Sequence, residues 1–119
     1  MDQNGVIESY VGDLLKKYHQ TVATAESLTG GKIASTLVSV SGASAYFKGS
    51  MVVYSAEMKQ RLLDVSKETI DKYTVVSEAV AKEMAVNARQ KMNTDYAIAV
   101  TGNAGPKTDE TDKSIGVVY

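Results

Sequence analysis

A layered α/β domain is predicted by three observations on this chain. Short apolar runs alternate with segments whose apolar residues recur at helical spacing, the pattern of a sheet covered by helices. A length of 119 residues suits a single domain spanning 1–119, long enough to bury a sizeable core. A hydrophobic content of 44% with a single proline describes a packed globule rather than a disordered segment.

Each element has its own signal. Ile7, Tyr10, Val11, Leu14, Leu15 and Tyr18 fall on one helical face, opposite Glu8, Asp13, Lys16 and Lys17. Thr21 to Ala25 reads as a short buried strand, and Lys32 to Val38 as the next helix. Small residues from Ser39 to Ser44 form a loop. Tyr46 to Tyr54 is strand-like, most strongly from Ser50 to Tyr54. Ser55 is placed to cap a helix over Ala56 to Leu63, and Ser66 one over Lys67 to Lys72. Ser77 caps the clearest helix, with Val80, Ala81, Met84, Ala85, Ala88 and Met92 along one face. Asp95 to Thr101 reads as a buried strand from its near-continuous apolar character. A loop from Gly102 to Pro106 and a polar tract to Ser114 follow. Ile115 to Tyr119 begins a last strand, and the chain is expected to lack a further C-terminal piece. The plainer alternative is that this strand is simply the last one, docked in the sheet.

Composition narrows the function classes. The formal net charge is -1 and the basic residues are scattered, whereas a nucleic-acid surface needs a basic stripe. There are no cysteines, so disulfides, thiolate metal sites and cysteine nucleophiles are excluded. With one histidine and dispersed carboxylates, metal ligation is unsupported. No apolar signal core and no run of membrane-spanning length are present, so a soluble, cytoplasmic protein without membrane contact is expected.

Thr24-Ala25-Glu26-Ser27-Leu28-Thr29-Gly30-Gly31 carries the most chemical information. Ser27 falls on a strand-to-helix turn, where unpaired N–H groups and the helix dipole favour a developing negative charge. That setting suits a nucleophilic serine with an oxyanion site at Thr29 to Gly31. Equally, Ser27 or Thr29 can be an ordinary N-cap. His19, at the polar end of the first helix, is badly placed for a Ser-His-Asp triad. Lysine and tyrosine remain as proton acceptors, and Tyr54-Ser55-Ala56-Glu57-Met58-Lys59 offers both just after a strand. A partly desolvated lysine at a helix start serves as a base. Glu57 either opposes this by favouring the ammonium form or orients Lys59. A surface Lys59 and a core-edge Tyr54 are the alternative. The loop from Thr101 to Pro106 follows a strand, where α/β folds place ligands, although a plain Gly-Pro turn fits it as well. Gly30-Gly31-Lys32 fails the P-loop pattern, and no G-x-G-x-x-G occurs.

Six segments in order resemble the C-terminal domain of the CinA competence/damage-inducible family, which includes the stand-alone nicotinamide mononucleotide deamidases called PncC. They are Ala25 to Gly31, Gly42 to Phe47, Tyr54 to Lys59, Val76 to Ala81, Ala99 to Pro106 and Gly116 to Tyr119. The resemblance implies a three-layer α/β/α sandwich around a mixed sheet, continuing in the family through further C-terminal strands and a closing helix. It implies a homodimeric amidohydrolase that converts nicotinamide mononucleotide to nicotinate mononucleotide and ammonia. No metal or cofactor is implied, and the partner is a small pyridine nucleotide. Ser27 matches the nucleophile, Lys59 the proton acceptor and Tyr54 the tyrosine beside them. Thr101, with Gly102, Asn103, Ala104 and Gly105, matches the substrate-contacting segment. Backbone N–H groups at Gly30 and Gly31, or from Gly102 to Gly105, are the candidates for the 5′-phosphate. A catalytically inactive nucleotide-binding or oligomerisation module of the same fold is the alternative.

Overall fold

The computed structural model describes residues 6–103 and 117–119. Strand β1 (Val22–Glu26) is central, between β2 (Phe47–Val52) and β3 (Tyr96–Ala99), and both pairings are parallel. Parallel neighbours need crossovers. The first is α2 (Lys32–Val38) with a short 3-10 helix (Ala43–Ala45); the second is α3 (Ala56–Leu63), α4 (Lys67–Tyr73) and α5 (Glu78–Met92). The chain steps from β1 to β2 in one direction and from β2 past β1 to β3 in the other. Right-handed crossovers in opposite directions put their helices on opposite faces.

The cores follow this division. Ala25, Val53, Leu63, Val65, Val80, Met84 and Ala88 pack together on the α3–α5 side. Leu15, Val22, Leu37, Ala43 and Tyr46 pack on the other side, beneath α1 (Ile7–Lys17) and α2. Alternation along β1 therefore sends Val22, Thr24 and Glu26 towards α2, and Ala23, Ala25 and Ser27 towards α3. An irregularity in β2 shifts its register between Val22–Phe47 and Ala23–Gly49, so that Ser50 pairs with Thr24. The Thr24 and Ser50 hydroxyls meet across that pair.

Local capping is as the sequence predicts. Ser55 accepts from the Met58 amide, Ser66 from Thr69 and Ser77 from Val80. Each such cap contributes about 1 kcal/mol. On α5, Val80, Met84 and Ala88 are the buried residues. His19 is exposed at the end of α1.

Two expectations are corrected. Strand β3 is half exposed rather than buried, because it stands at an edge of the described sheet with only β1 beside it. Tyr96 and Ile98 join Leu14 and Tyr18 of α1 around an open apolar trough of about 440 Å³. For the same reason the predicted apolar face of α1 is only partly covered: Leu15 is buried, whereas Ile7, Tyr10, Leu14 and Tyr18 are exposed. Past β3, Thr101 and Tyr119 exchange backbone hydrogen bonds of 3.0 and 2.8 Å. Gly102 and Val118 form an antiparallel bridge, so the pairing becomes mixed there. No helix among the described residues is long and apolar enough to cross a membrane.

A close approach ties α1 to the 3-10 corner. Tyr46 is fully buried, and its hydroxyl has no hydrogen-bond partner among the described residues. Burial, and then the charge of Asp13, push its pKa up. The ring lies against Gly12, where a Cβ would sit 2.5 Å from the hydroxyl and 3.0 Å from the ring carbon bearing it. Glycine inside a helix costs about 1 kcal/mol relative to alanine, and here the ring demands it. Gly12→Ala is therefore expected to destabilise the fold by about 1–3 kcal/mol through overpacking. Tyr46→Phe removes an unsatisfied buried hydroxyl and is expected to raise stability by about 1 kcal/mol. The double variant recovers much of the Gly12→Ala loss. Urea unfolding of the three variants checks this, and additive effects would contradict the contact.

Candidate active site

At the C-terminal end of β1 the chain must turn from strand into α2. The Gly30 amide donates to the Ser27 carbonyl at 3.1 Å, and the Lys32 amide to the Thr29 carbonyl at 3.1 Å. Gly30 and Gly31 take φ of 61° and 102°, a region that side chains disfavour. Gly31 is the N-cap of α2 and makes no side-chain cap. Neither Ser27 nor Thr29 caps the helix, which settles that alternative.

The side chain that closes the helix end is Glu26, a residue the sequence reading passed over. Its carboxylate is fully buried. It accepts from the Ile33 amide at 2.9 Å, the Ala34 amide at 2.8 Å and the Thr29 hydroxyl at 2.7 Å. The Thr24 hydroxyl at 3.1 Å and the Ser50 hydroxyl at 3.5 Å complete the set. Burial raises the pKa of this carboxyl, but the donors from Thr29, Ala34, Ile33 and Thr24 outweigh it and hold the net value below the ordinary one. The strand runs one residue beyond the predicted Ala25, and the signal for this residue was a carboxylate at the end of a buried strand, which requires several donors.

On the other face, Ser27 meets Lys59. The Glu26 carbonyl accepts from the Val53 amide at 2.8 Å, extending the β1–β2 pairing to where β2 gives way to α3. One turn into α3, Lys59 points back beneath this junction. It is 1% exposed and Ser27 is 4% exposed. Lys59 Nζ donates to Ser27 Oγ at 2.9 Å, to the Val53 carbonyl at 3.0 Å and to the Tyr54 carbonyl at 3.3 Å. A surface lysine is thereby excluded. With the amine neutral, two N–H groups can serve the carbonyls while the lone pair faces the serine hydroxyl. That is the geometry of a serine with a built-in base.

The other candidates are placed differently. Tyr54 meets the pair through its carbonyl, while the residue is 70% exposed. Glu57 does not orient Lys59: it pairs with Arg61 at 3.5 Å on the exposed side of α3. Thr101 is buried, and its hydroxyl donates to the Val75 carbonyl at 3.0 Å, so it ties the loop to the chain before α5. At Gly102 a Cβ would strike the Val117 carbonyl oxygen at 2.6 Å, so this glycine admits the neighbouring chain. The Asn103 amide donates to the Val117 carbonyl at 3.0 Å and the residue is buried. Ala104 and Gly105 lie outside the described residues. Of the predicted oxyanion donors, the Gly30 amide is taken by the turn and the Thr29 hydroxyl by Glu26. The amides of Leu28, Thr29 and Gly31 donate to no acceptor among the described residues. They are the amides of this turn that stay open among the described residues.

Comparisons with known proteins agree with this architecture. The family model for the CinA C-terminal domain matches residues 4–119. A CinA-like protein of Flavobacterium psychrophilum is 48% identical over 118 residues, covering 99% of this chain and 28% of that protein. One from Prochlorococcus marinus is 50% identical over 105 residues, covering 88% of this chain and 25% of that one. The chain thus spans about a quarter of the length of these relatives. Among solved structures, a competence-damaged protein (CinA) superfamily protein from Escherichia coli superposes with a TM-score of 0.91 at 32% identity, covering 99% of this chain and 70% of that one. The competence/damage inducible protein CihA of Agrobacterium tumefaciens gives 0.89 at 35% identity, over 96% and 71% of the two chains.

The lowered pKa of Glu26 has a consequence for stability. Its contribution is present above the unfolded carboxyl value and is lost as pH falls through the lower folded value. Glu26→Gln is expected to lose about 1–3 kcal/mol at neutral pH, since buried donors are left unsatisfied. Its stability should also fall less steeply than that of the parent as pH drops through the ordinary carboxyl range and below it. Urea unfolding across that range checks the slope, and parallel curves would contradict it.

Proposed function

The chain belongs to the CinA C-terminal domain family, and from that premise we propose that it is a serine amidohydrolase acting on the carboxamide of nicotinamide mononucleotide. The observation that carries the reading is the 2.9 Å contact between buried Lys59 Nζ and Ser27 Oγ. Attack begins with the amine of Lys59 neutral. Ser27 Oγ adds to the amide carbon as its proton passes to Lys59 Nζ. The carbonyl electrons move onto oxygen, facing the amides of Leu28, Thr29 and Gly31 at the positive end of α2. Lys59 returns the proton to the amide nitrogen, the C–N bond breaks, ammonia leaves and an acyl ester remains on Ser27. Water then adds to that ester with Lys59 again accepting the proton, releasing nicotinate mononucleotide and restoring the serine.

The substrate class comes from the family resemblance, and the serine–lysine geometry supports the reaction type. Tyr54 is proposed to act at the rim, on the base or ring of the nucleotide, because its side chain faces solvent. Ser27→Ala and Lys59→Met are each expected to lower ammonia release from nicotinamide mononucleotide by about 10³-fold or more. Tyr54→Phe is expected to change KM more than kcat. Equal release from the parent and Ser27→Ala would sink the serine mechanism. Binding of nicotinate mononucleotide without any ammonia release would identify an inert nucleotide-binding module.

A further inference from the structure

The nucleophile sits one residue past a carboxylate on the opposite face of the strand. The turn between them and α2 is held by that carboxylate. Glu26 and Ser27 diverge from consecutive positions, one towards α2 and one towards Lys59. Between Ser27 and the helix lie four residues, two of them glycines at positive φ. Such a stretch has many conformations available to it. Its own backbone supplies two bonds within the turn, Gly30 to Ser27 and Lys32 to Thr29, besides the first helical bond from Ser35 to Gly31. The stronger restraint is Glu26, which reaches across the turn to Thr29 in its middle and to Ile33 and Ala34 at its far end.

We propose that Glu26 is a positioning residue for the Ser27 nucleophile: its carboxylate clamps the strand end to the start of α2 and so fixes the serine and the turn amides relative to Lys59. This inference rests on the nucleophile reading of Ser27 and goes beyond it. Ionised carboxylate is required by the donor set. Thr29 and the Ile33 amide meet one oxygen, while the Ala34 amide meets the other, with the Thr24 and Ser50 hydroxyls alongside. A glutamine in its place keeps one oxygen and sets an NH2 group against one of the two helix amides, whichever way it turns. Hydroxyls can rotate to accept from that NH2; a backbone amide cannot. One end of the clamp therefore opens, although the side chain keeps its shape.

Labelling of the 119-residue chain by a fluorophosphonate tests this without depending on the natural substrate. Inactivation kinetics are followed by mass spectrometry of the Ser27 peptide, well below each variant's melting temperature. For Glu26→Gln the maximal labelling rate is expected to fall by at least about tenfold while half-saturation by the probe stays within about twofold. A merely structural role lowers the melting temperature and leaves the rate per folded molecule unchanged. If Glu26→Gln does not fold, Thr29→Val opens the middle of the clamp only, and its rate is expected to fall about threefold or more. Equal labelling of parent and variant overturns the positioning role and leaves the nucleophile intact. Labelled parent with no ammonia release from nicotinamide mononucleotide overturns the substrate reading alone. A parent that is never labelled at Ser27 overturns the nucleophile and this proposal together.

Discussion

Glu26 holds the molecule together at the point where its layers meet. Its backbone carbonyl takes the Val53 amide and so aligns the end of β2 with the end of β1. Its side chain takes the first amides of α2 from the other face. One residue thereby joins the strand end beside Lys59 to the helix that follows the serine turn. A buried charge of this kind is tolerated because the helix N-terminus and three hydroxyls replace the water it gives up. Removing the charge leaves those donors facing an apolar interior.

Parallel pairing does the rest. Because β1 and β2 run the same way, the residue leaving β1 and the residue leaving β2 emerge side by side at one edge of the sheet. Ser27 leaves the first and Val53 the second, and α3 starts only three residues later. Lys59, one turn in, brings its amine back to that edge. The Val53 and Tyr54 carbonyls then meet Nζ because the chain has left the sheet and no longer uses them in a ladder. Groups that must leave the sheet at this corner thus supply the lysine's setting.

How much was legible in the sequence follows from how local each signal is. Ser55, Ser66 and Ser77 announce their helices because a cap acts on an amide three residues away. The face of α5 was readable for the same reason. Ser27 and Lys59 were readable as chemistry, but their contact spans 32 positions and needed the β1–β2 register. Glu26 was overlooked because its partners on α2 come within reach only after the glycine turn has formed. Thr101 read as part of a ligand loop, and the Val75 carbonyl that takes its hydroxyl lies 26 positions away. The exposure of β3 was illegible because apolar continuity reports what a strand can bury, not what lies against its edge.

The central claim is that Ser27 carries the acyl group during turnover. Incubating the chain with nicotinamide mononucleotide, quenching in acid and mapping the peptides by mass spectrometry tests it directly. A nicotinate-ribotide ester on the peptide containing Ser27, absent from Ser27→Ala, is the predicted result. Ammonia release with no adduct, or with an adduct on another residue, would contradict the account.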